Sequence, residues 1–406
     1  MKPINVRRVF VLAGLTTLIV IYAILWLKMI SSPAERTGAD FIHFYAAGII
    51  ARNQGAVHVY DLELQQTVEQ EQVGFMLAPG QVLPFNHVPY LIPILSVVVS
   101  KNYVASFWRW AILMLICYMI GISLIAWWFR QKEFDIHTML LISAGAITFY
   151  PVFVSLMQGQ DTALLFLGGC LWVVGLSLER DGLVGIGLAL ITVRPQIAVL
   201  LAFPLIFKRQ KAFGWFCLWA GMLAITSLFI LGINGMRSFV NVLLITAGGK
   251  WYGTNQPAMV NLIGLLMRLV PGMSEEIVLL IGWVVYGLTL IGLCVFWRRI
   301  RKIGEKQIVL TATLALFTVP HLHYHDLAFL LIPTAAVLVG LVHTKYLRLQ
   351  EAGLAPLAVS LFLLLGSLIT EFVFNLPYVV MILLVLIMWF PDRVFFWRRS
   401  KDEILS

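Results

Sequence analysis

The sequence predicts an all-α, polytopic integral membrane protein, and three observations carry that prediction. Apolar runs recur along the whole 406-residue chain, many reaching the length of about 18 residues or more that an α-helix needs to cross hydrocarbon. The composition is 60% hydrophobic and 12% charged with a mean hydropathy of +0.91, outside the range of an ordinary soluble domain. The runs are continuous rather than alternating, which argues against the period-two pattern of a β-barrel. The net charge of +9 sits in clusters at the ends of these runs, so it reads as a topology signal and points to no nucleic-acid partner. Cys117, Cys170, Cys217 and Cys294 stand singly inside apolar runs and read as small core hydrophobes, without disulfide or metal-site spacing.

Taken in order, the chain opens with Met1–Lys2 and Arg7–Arg8 before an apolar stretch too long for a cleaved signal, so residues 8–30 read as an uncleaved anchor with a cytoplasmic N-terminus. A first external loop, residues 31–88, holds Glu35, Asp40, Asp61, Glu63, Glu69 and Glu71 against two arginines. Within it Asp40 is placed to N-cap a short helix ending at Asn53–Gly55, with Phe41, Phe44, Tyr45, Gly48 and Ile49 on one face. Such a helix is expected to lie in the headgroup plane, with Asp40 at its positive end. Tyr60–Asp61 reads as the close of that segment. Residues 88–100 carry Pro89 and Pro93 and are too short to cross as a helix, which makes them re-entrant or a lid.

Spans follow at 103–129, closed by Arg130 and Lys132, at 137–157, and at 161–178. Residues 183–207 are interrupted by Arg194–Pro195, and proline bars a clean continuation, so two half-helices meeting at Arg194 are expected. Broken helices at membrane depth are tolerated where they line a protein cavity. Span 213–233 leads to a second external loop, 234–275, with Lys250, Trp251, Tyr252, Asn255 and Gln256. Span 276–297 ends at the basic run Arg298–Lys302, and 307–319, 327–343, 355–375 and 378–390 complete the set. The total is about twelve transmembrane or half-membrane helices in a single domain, 1–406, with both termini cytoplasmic. On this topology Asp40, Gln160, Arg194, Asn255 and the His321–Asp326 stretch all fall outside, although Lys/Arg placement and helix length alone set it.

Each polar station has a bland reading beside the functional one. Asp40 is either an N-cap or a general base at the external surface. Arg194, alone among apolar residues, faces either a partner acid such as Asp161 or an anionic ligand, which a guanidinium grips bidentately. His321, His323 and His325 share their segment with Asp326. Spacing puts only His321 and His325 on one helical face, and no further ligand cluster completes a metal site, so hydrogen bonding to phosphate or sugar competes with helix-end packing. Gln158–Asp161 and Asn255–Pro257 read as turns or as hydrogen-bonding stations. Trp251 and Tyr252 are interface anchors or stacking platforms.

Four stretches, in order, resemble glycosyltransferase family 87: Asp40–Phe41 with Tyr45, Gly55 and Tyr60–Asp61; Gly159–Gln160 opening a span; Gly185 with Arg194–Pro195–Gln196; and Pro320 with His325. Asn255–Gln256 is a fifth, looser match. The chain departs from the family pattern where Arg194 replaces the usual lysine before proline, where Asp161–Thr162 follows Gly-Gln, and in its histidine-rich Pro320–His325 stretch. The resemblance implies a GT-C-type fold with an external active site. It implies inverting, metal-independent and cofactor-free transfer of a sugar, mannose or an arabinofuranose, from a polyprenyl-phosphate donor to a lipid or glycan acceptor. On that implication Asp40 is the base. Arg194, His321, His325 and Lys250 meet the leaving phosphate, and Gln160, Asn255, Gln256, Gln196, His43 and Tyr45 complete the substrate site. The location implied is the plasma (inner) membrane. A polyprenyl-lipid or small-solute transporter also buries an arginine at broken helices, but it predicts an internal inverted symmetry that the sequence lacks. A ligase acting on pyrophosphate-linked glycans has no need of Asp40, and a purely structural subunit has no need of Asp40, Arg194 or His325.

Overall fold

A computed structural model describes residues 6–31, 40–78, 81–247, 255–369 and 374–394. Among them every regular element is helical and none is a strand. The long helices are α1 (Val6–Ser31), then, after α2 (Phe41–Asn53), α3 (Leu62–Val73) and α4 (Ile92–Val98), α5 (Tyr103–Gln131). A middle group of shorter helices follows: α6 (Ile136–Ile147), α7 (Tyr150–Gln158), α8 (Thr162–Ser177), α9 (Asp181–Ile191) and α10 (Pro195–Ala202). The chain continues through α11 (Gln210–Ala247), α12 (Leu262–Leu269), α13 (Glu275–Arg299), α14 (Glu305–Thr318), α15 (Leu331–His343), α16 (Ala355–Ile369) and α17 (Leu376–Trp389). Six helical stretches of the described residues are long and apolar enough to cross a membrane, α6 and α7 form a seventh if counted as one span bent by 41°, and five shorter apolar helices lie between them.

Burial separates two layers. α8 and α15 are buried nearly all round, whereas α1, α11 and α13 leave most of their apolar side chains at least partly exposed. Apolar side chains in that number need hydrocarbon against them, so the protein spans a membrane with α1, α11 and α13 facing lipid. The inner layer is held by close backbone approach. A Cβ at Gly168 would lie 2.6 Å from the Gly187 carbonyl, and one at Gly187 would lie 2.6 Å from the Gly168 carbonyl, so α8 and α9 touch where only small residues fit.

Several expectations are corrected. α2 is not an amphipathic helix with one free polar face: Phe41, Phe44, Ala46 and Ala47 are fully buried, and both faces are packed. Its Gly48 lies against Val99 and Leu95 of the following hairpin, where a Cβ would come within 3 Å, so α4 covers it. Asp40 occupies the N-cap position but makes no capping bond, which leaves its carboxylate free for other partners. Asp61 opens α3 rather than closing α2, accepting from the N–H groups of Glu63 and Leu64 at 3.0 and 3.2 Å. The span predicted over 137–157 is bent before Pro151, whose ring displaces the helical bond there. The second external loop does not begin at 234. Helix resumes after Gly232, which leaves helical geometry with φ 61° and ψ −178°, and runs on to Ala247. Cys217 is exposed rather than a core residue. Arg194 does separate two half-helices, α9 and α10.

The polar pairs sort by face. Lys132–Glu305 at 3.8 Å and Arg209–Asp181 at 2.7 Å join segments that the sequence places on one side. Asp40, Gln160, Arg194 and His325 meet within a separate cluster, as described below.

Because the α8–α9 contact meets unyielding backbone, Gly187→Ala is expected to cost about 1–3 kcal/mol of stability. Gly221→Ala on α11, with nothing within 4 Å of the added methyl, is expected to be neutral or stabilising by up to about 1 kcal/mol. Melting of the detergent-purified variants checks both.

Candidate functional site

The site is built where helices break. Gly159, in left-handed geometry with φ 72°, ends α7 and hands the chain to Gln160–Asp161 at the start of α8. Pro195 starts α10 and leaves Arg194 between two half-helices. The loop after Pro320 enters a 3-10 turn at Tyr324 that carries His325 and Asp326. These three breaks bring their side chains to one point.

Arg194 sits at the centre. Its Nε lies 3.1 Å from Asp326 Oδ1 and its Nη1 3.0 Å from Asp161 Oδ1, and all three side chains are buried. The Nη1 proton is directed at the Val193 carbonyl, 3.1 Å away, so the Asp161 contact is one of charge more than of an aligned hydrogen bond. The partner acid weighed from the sequence is therefore present, together with a second one. Two carboxylates outnumber the guanidinium and leave the triad one negative charge in excess. Nη2 has no partner among the described residues, so it is the part of Arg194 available to a ligand.

A second arm leaves Asp161. His87 Nδ1 donates to Asp161 Oδ2 at 2.8 Å, since a carboxylate only accepts. His87 Nε2 and His43 Nε2 share a hydrogen bond of 3.1 Å, with the two rings stacked. His87 is thus a link with both nitrogens occupied. Sequence reading missed it, because a lone histidine in the 77–88 segment carries no pattern. Its position is fixed from α3, where Gln65 accepts from Phe85 N–H at 2.8 Å and Glu69 accepts from Leu83 N–H at 3.0 Å, and by Tyr60 Oη donating to the His87 carbonyl at 2.6 Å.

Asp40 heads a third arm. Gln160 Nε2 donates to its Oδ2 at 2.5 Å. His325 Nδ1, which donates to Gln158 Oε1 at 2.9 Å, lies 3.9 Å from the same oxygen. Burial raises the Asp40 carboxyl, and Gln160, His87 and Arg194 pull it back, for a net rise to about 6. Its side chain keeps 24% of its surface open, so it remains reachable. Burial lowers His43, His321 and His323 below the ordinary imidazole range.

These arms line one cavity of about 740 Å³. Its lining joins polar and ionisable side chains, Asp40, His87, Gln160, Arg194 and the histidines 321, 323 and 325, with apolar ones, Val199, Leu243, Leu279 and Trp283. Leu243 belongs to α11 and Leu279 and Trp283 to α13, helices that face lipid.

Most of the residues expected in a site fall here. His43, Gln160, Arg194, Gln196, Asn255, Gln256, His321 and His325 line the cavity with Asp40. Tyr45 does not: it is buried, and its hydroxyl donates to the Lys101 carbonyl at 3.3 Å, so its expected substrate role is replaced by one in holding the segment after α4. Lys250, Trp251 and Tyr252 lie outside the described residues, as does Glu35. Among the described residues no cluster of three or more histidines, cysteines and acids takes a metal-holding arrangement.

The family model "Glycosyltransferase family 87" matches residues 84–320, more than half of the chain. The chain belongs to glycosyltransferase family 87 and is a membrane-spanning glycosyltransferase. No curated protein matches it. Asp40 and His325 lie beyond the two ends of the matched stretch, and both are bonded to residues within it, Gln160 and Gln158.

Removing the central arginine alone strands two buried carboxylates. Arg194→Met is expected to destabilise the fold by about 3–5 kcal/mol. A triple variant with Asp161→Asn and Asp326→Asn is expected to recover much of that loss, as read from thermal melts of the purified proteins.

Proposed function

We propose that this glycosyltransferase moves a sugar, mannose by preference, from a polyprenyl-phosphate donor to a hydroxyl of a lipid or glycan acceptor, with inversion at C1. The observation that carries the reading is the shape and chemistry of the cavity. Its lining combines an ionisable carboxylate among hydrogen-bonding groups with apolar side chains supplied by the lipid-facing helices α11 and α13. A donor with a long apolar tail and a polar head suits such a mixed lining.

In this reading Asp40 accepts the proton of the acceptor hydroxyl as its oxygen bonds to C1, and the bond from C1 to the phosphate oxygen breaks with its electron pair. The departing phosphate gains negative charge. Arg194 Nη2 and the imidazole N–H of His321 supply donors for it, and His325, whose Nδ1–H is held by Gln158, lines the site beside them. The excess negative charge of the Arg194 triad limits how firmly Arg194 holds a free phosphate, which favours release of the spent lipid. Gln160 orients the base, Gln196, Asn255 and Gln256 serve sugar hydroxyls, and transfer continues in EDTA. His43 acts through His87 rather than on the substrate directly.

Residues 1–406 form one domain in this account. In the same reading the basic runs at Arg130–Lys132 and Arg298–Lys302 and both termini lie in the cytoplasm, with the cavity on the external face of the plasma (inner) membrane, as the distribution of lysine and arginine favours. The alternative of a polyprenyl-lipid or small-solute transporter gains no specific support, since the family match is to a glycosyltransferase.

Asp40→Asn, which keeps shape and removes basicity, is expected to lower transfer from synthetic polyprenyl-phosphate sugars by about 10²–10⁴-fold. Since only the ionised carboxylate is a base, wild-type kcat/KM is expected to rise with pH to a plateau above about 6. Near wild-type transfer by the variant, or a profile that falls across that range, overturns the assignment.

A further inference from the structure

Gln256 is 3% exposed, and neither its Nε2 nor its Oε1 has a hydrogen-bond partner among the described residues. It lines the cavity as the first residue of the 3-10 turn Gln256–Ala258. A desolvated amide with both ends unmet is costly, and native proteins keep such groups chiefly where a ligand or water completes them. One amide offers a donor and an acceptor side by side. Two vicinal hydroxyls of a sugar match that pair, one donating to Oε1 and the other accepting from Nε2, whereas an ionised phosphate has no proton to give the Oε1.

The turn that presents Gln256 is held from behind by one side chain. Arg268 of α12 sends Nη1 to the carbonyls of Pro257 and Met259 at 2.5 and 2.8 Å, Nε to Asn375 Oδ1 at 3.1 Å, and Nη2 to the Phe374 carbonyl and Tyr378 Oη at 3.2 and 2.9 Å. All five guanidinium N–H groups therefore meet neutral acceptors, and none meets a carboxylate. Tyr378 in turn donates to the Asn261 carbonyl at 2.7 Å, and Asn261 caps α12 while donating to the Val319 carbonyl at 2.7 Å. Gly264, one turn before Arg268, lets α12 lie directly on Met259, whose carbonyl would stand 2.0 Å from an added Cβ. A lysine satisfies no such fork.

We infer that Gln256 reads a vicinal hydroxyl pair of the transferred sugar and that Arg268 is its positioning residue, the clamp that fixes the Gln256 turn between α12 and the start of α17. The inference rests on the glycosyltransferase reading above and adds the part of the substrate that this wall recognises.

The test measures binding of farnesyl phosphate alone and of farnesyl phosphate carrying mannose, glucose or arabinofuranose, by thermal stabilisation of the purified full-length protein. In wild type the best sugar-bearing lipid is expected to bind more tightly than the sugarless one. Gln256→Leu is expected to erase about tenfold of that preference while leaving the sugarless lipid unaffected. Arg268→Lys is expected to do the same, and the double variant is expected to lose no more than either single one, as two residues acting as a unit should. Tyr378→Phe, which removes one of the five acceptors, is expected to give a smaller loss in the same direction and serves if Arg268→Lys does not fold. A sugar preference that survives Gln256→Leu, its absence from wild type across the panel, or additive losses in the double variant would overturn the inference. Transfer to membrane extract is followed separately. Sugar-dependent binding without transfer defeats the enzymatic reading alone, and transfer with a preference indifferent to Gln256 defeats this inference alone.

Discussion

A guanidinium between two carboxylates, at a point where three helices break, is the constraint on which the rest of the structure depends. Arg194, Asp161 and Asp326 come from elements far apart in sequence, and burying any one of them alone would be prohibitive. Together they fix the junction of α7 with α8, the gap between α9 and α10, and the 3-10 entry to α15 relative to one another. The breaks are local consequences of sequence: Gly159 takes the left-handed turn and Pro195 stops the helix before it. The cluster converts three interruptions, each a liability in a membrane, into one polar floor.

That floor sets the electrostatics of what stands on it. Burial raises the Asp40 carboxyl, with a smaller push from Asp326, while Gln160, His87 and Arg194 restrain the rise. On the proposed reading this is a base poised near neutrality, in a cavity whose lining also includes side chains of helices that face lipid. On that reading the fold brings ionisable chemistry within reach of a lipid-borne substrate. Around the rim, neutral hydrogen bonds take over from charge. α3 pins the His87 segment through glutamines and Glu69, and Arg268 pins the Gln256 turn through carbonyls, an amide and a phenol.

Much of this was legible in the sequence because membrane proteins advertise their exceptions. Arg194 stands out in an apolar run, Pro195 next to it implies half-helices, and Asp40, Gln160 and His325 fall on one side once the lysines and arginines are placed. What stayed hidden depends on tertiary burial. α2 carries the composition of an interfacial helix, and the packing of α3, α4 and α5 around it buries both faces. Asp40 has the residue type of an N-cap, yet its carboxylate bonds to Gln160, 120 positions away. Tyr45 shares the aromatic character of its neighbours and is turned from the cavity by a bond to Lys101. His87 and Asp326 gain meaning only from Asp161 and Arg194, whose distance along the chain no local pattern records. Helix beyond Gly232 escaped because a glycine in a polar-flanked stretch reads as an end, while here it is a kink.

The central claim is that a single carboxylate, Asp40, drives a direct displacement at C1 in this cavity. The anomeric configuration of the product, determined by nuclear magnetic resonance after transfer from a donor of defined configuration, tests it most directly. One base and one displacement require inversion, β product from an α donor or the reverse. Retention would require a covalent or double-displacement course, and would contradict the account.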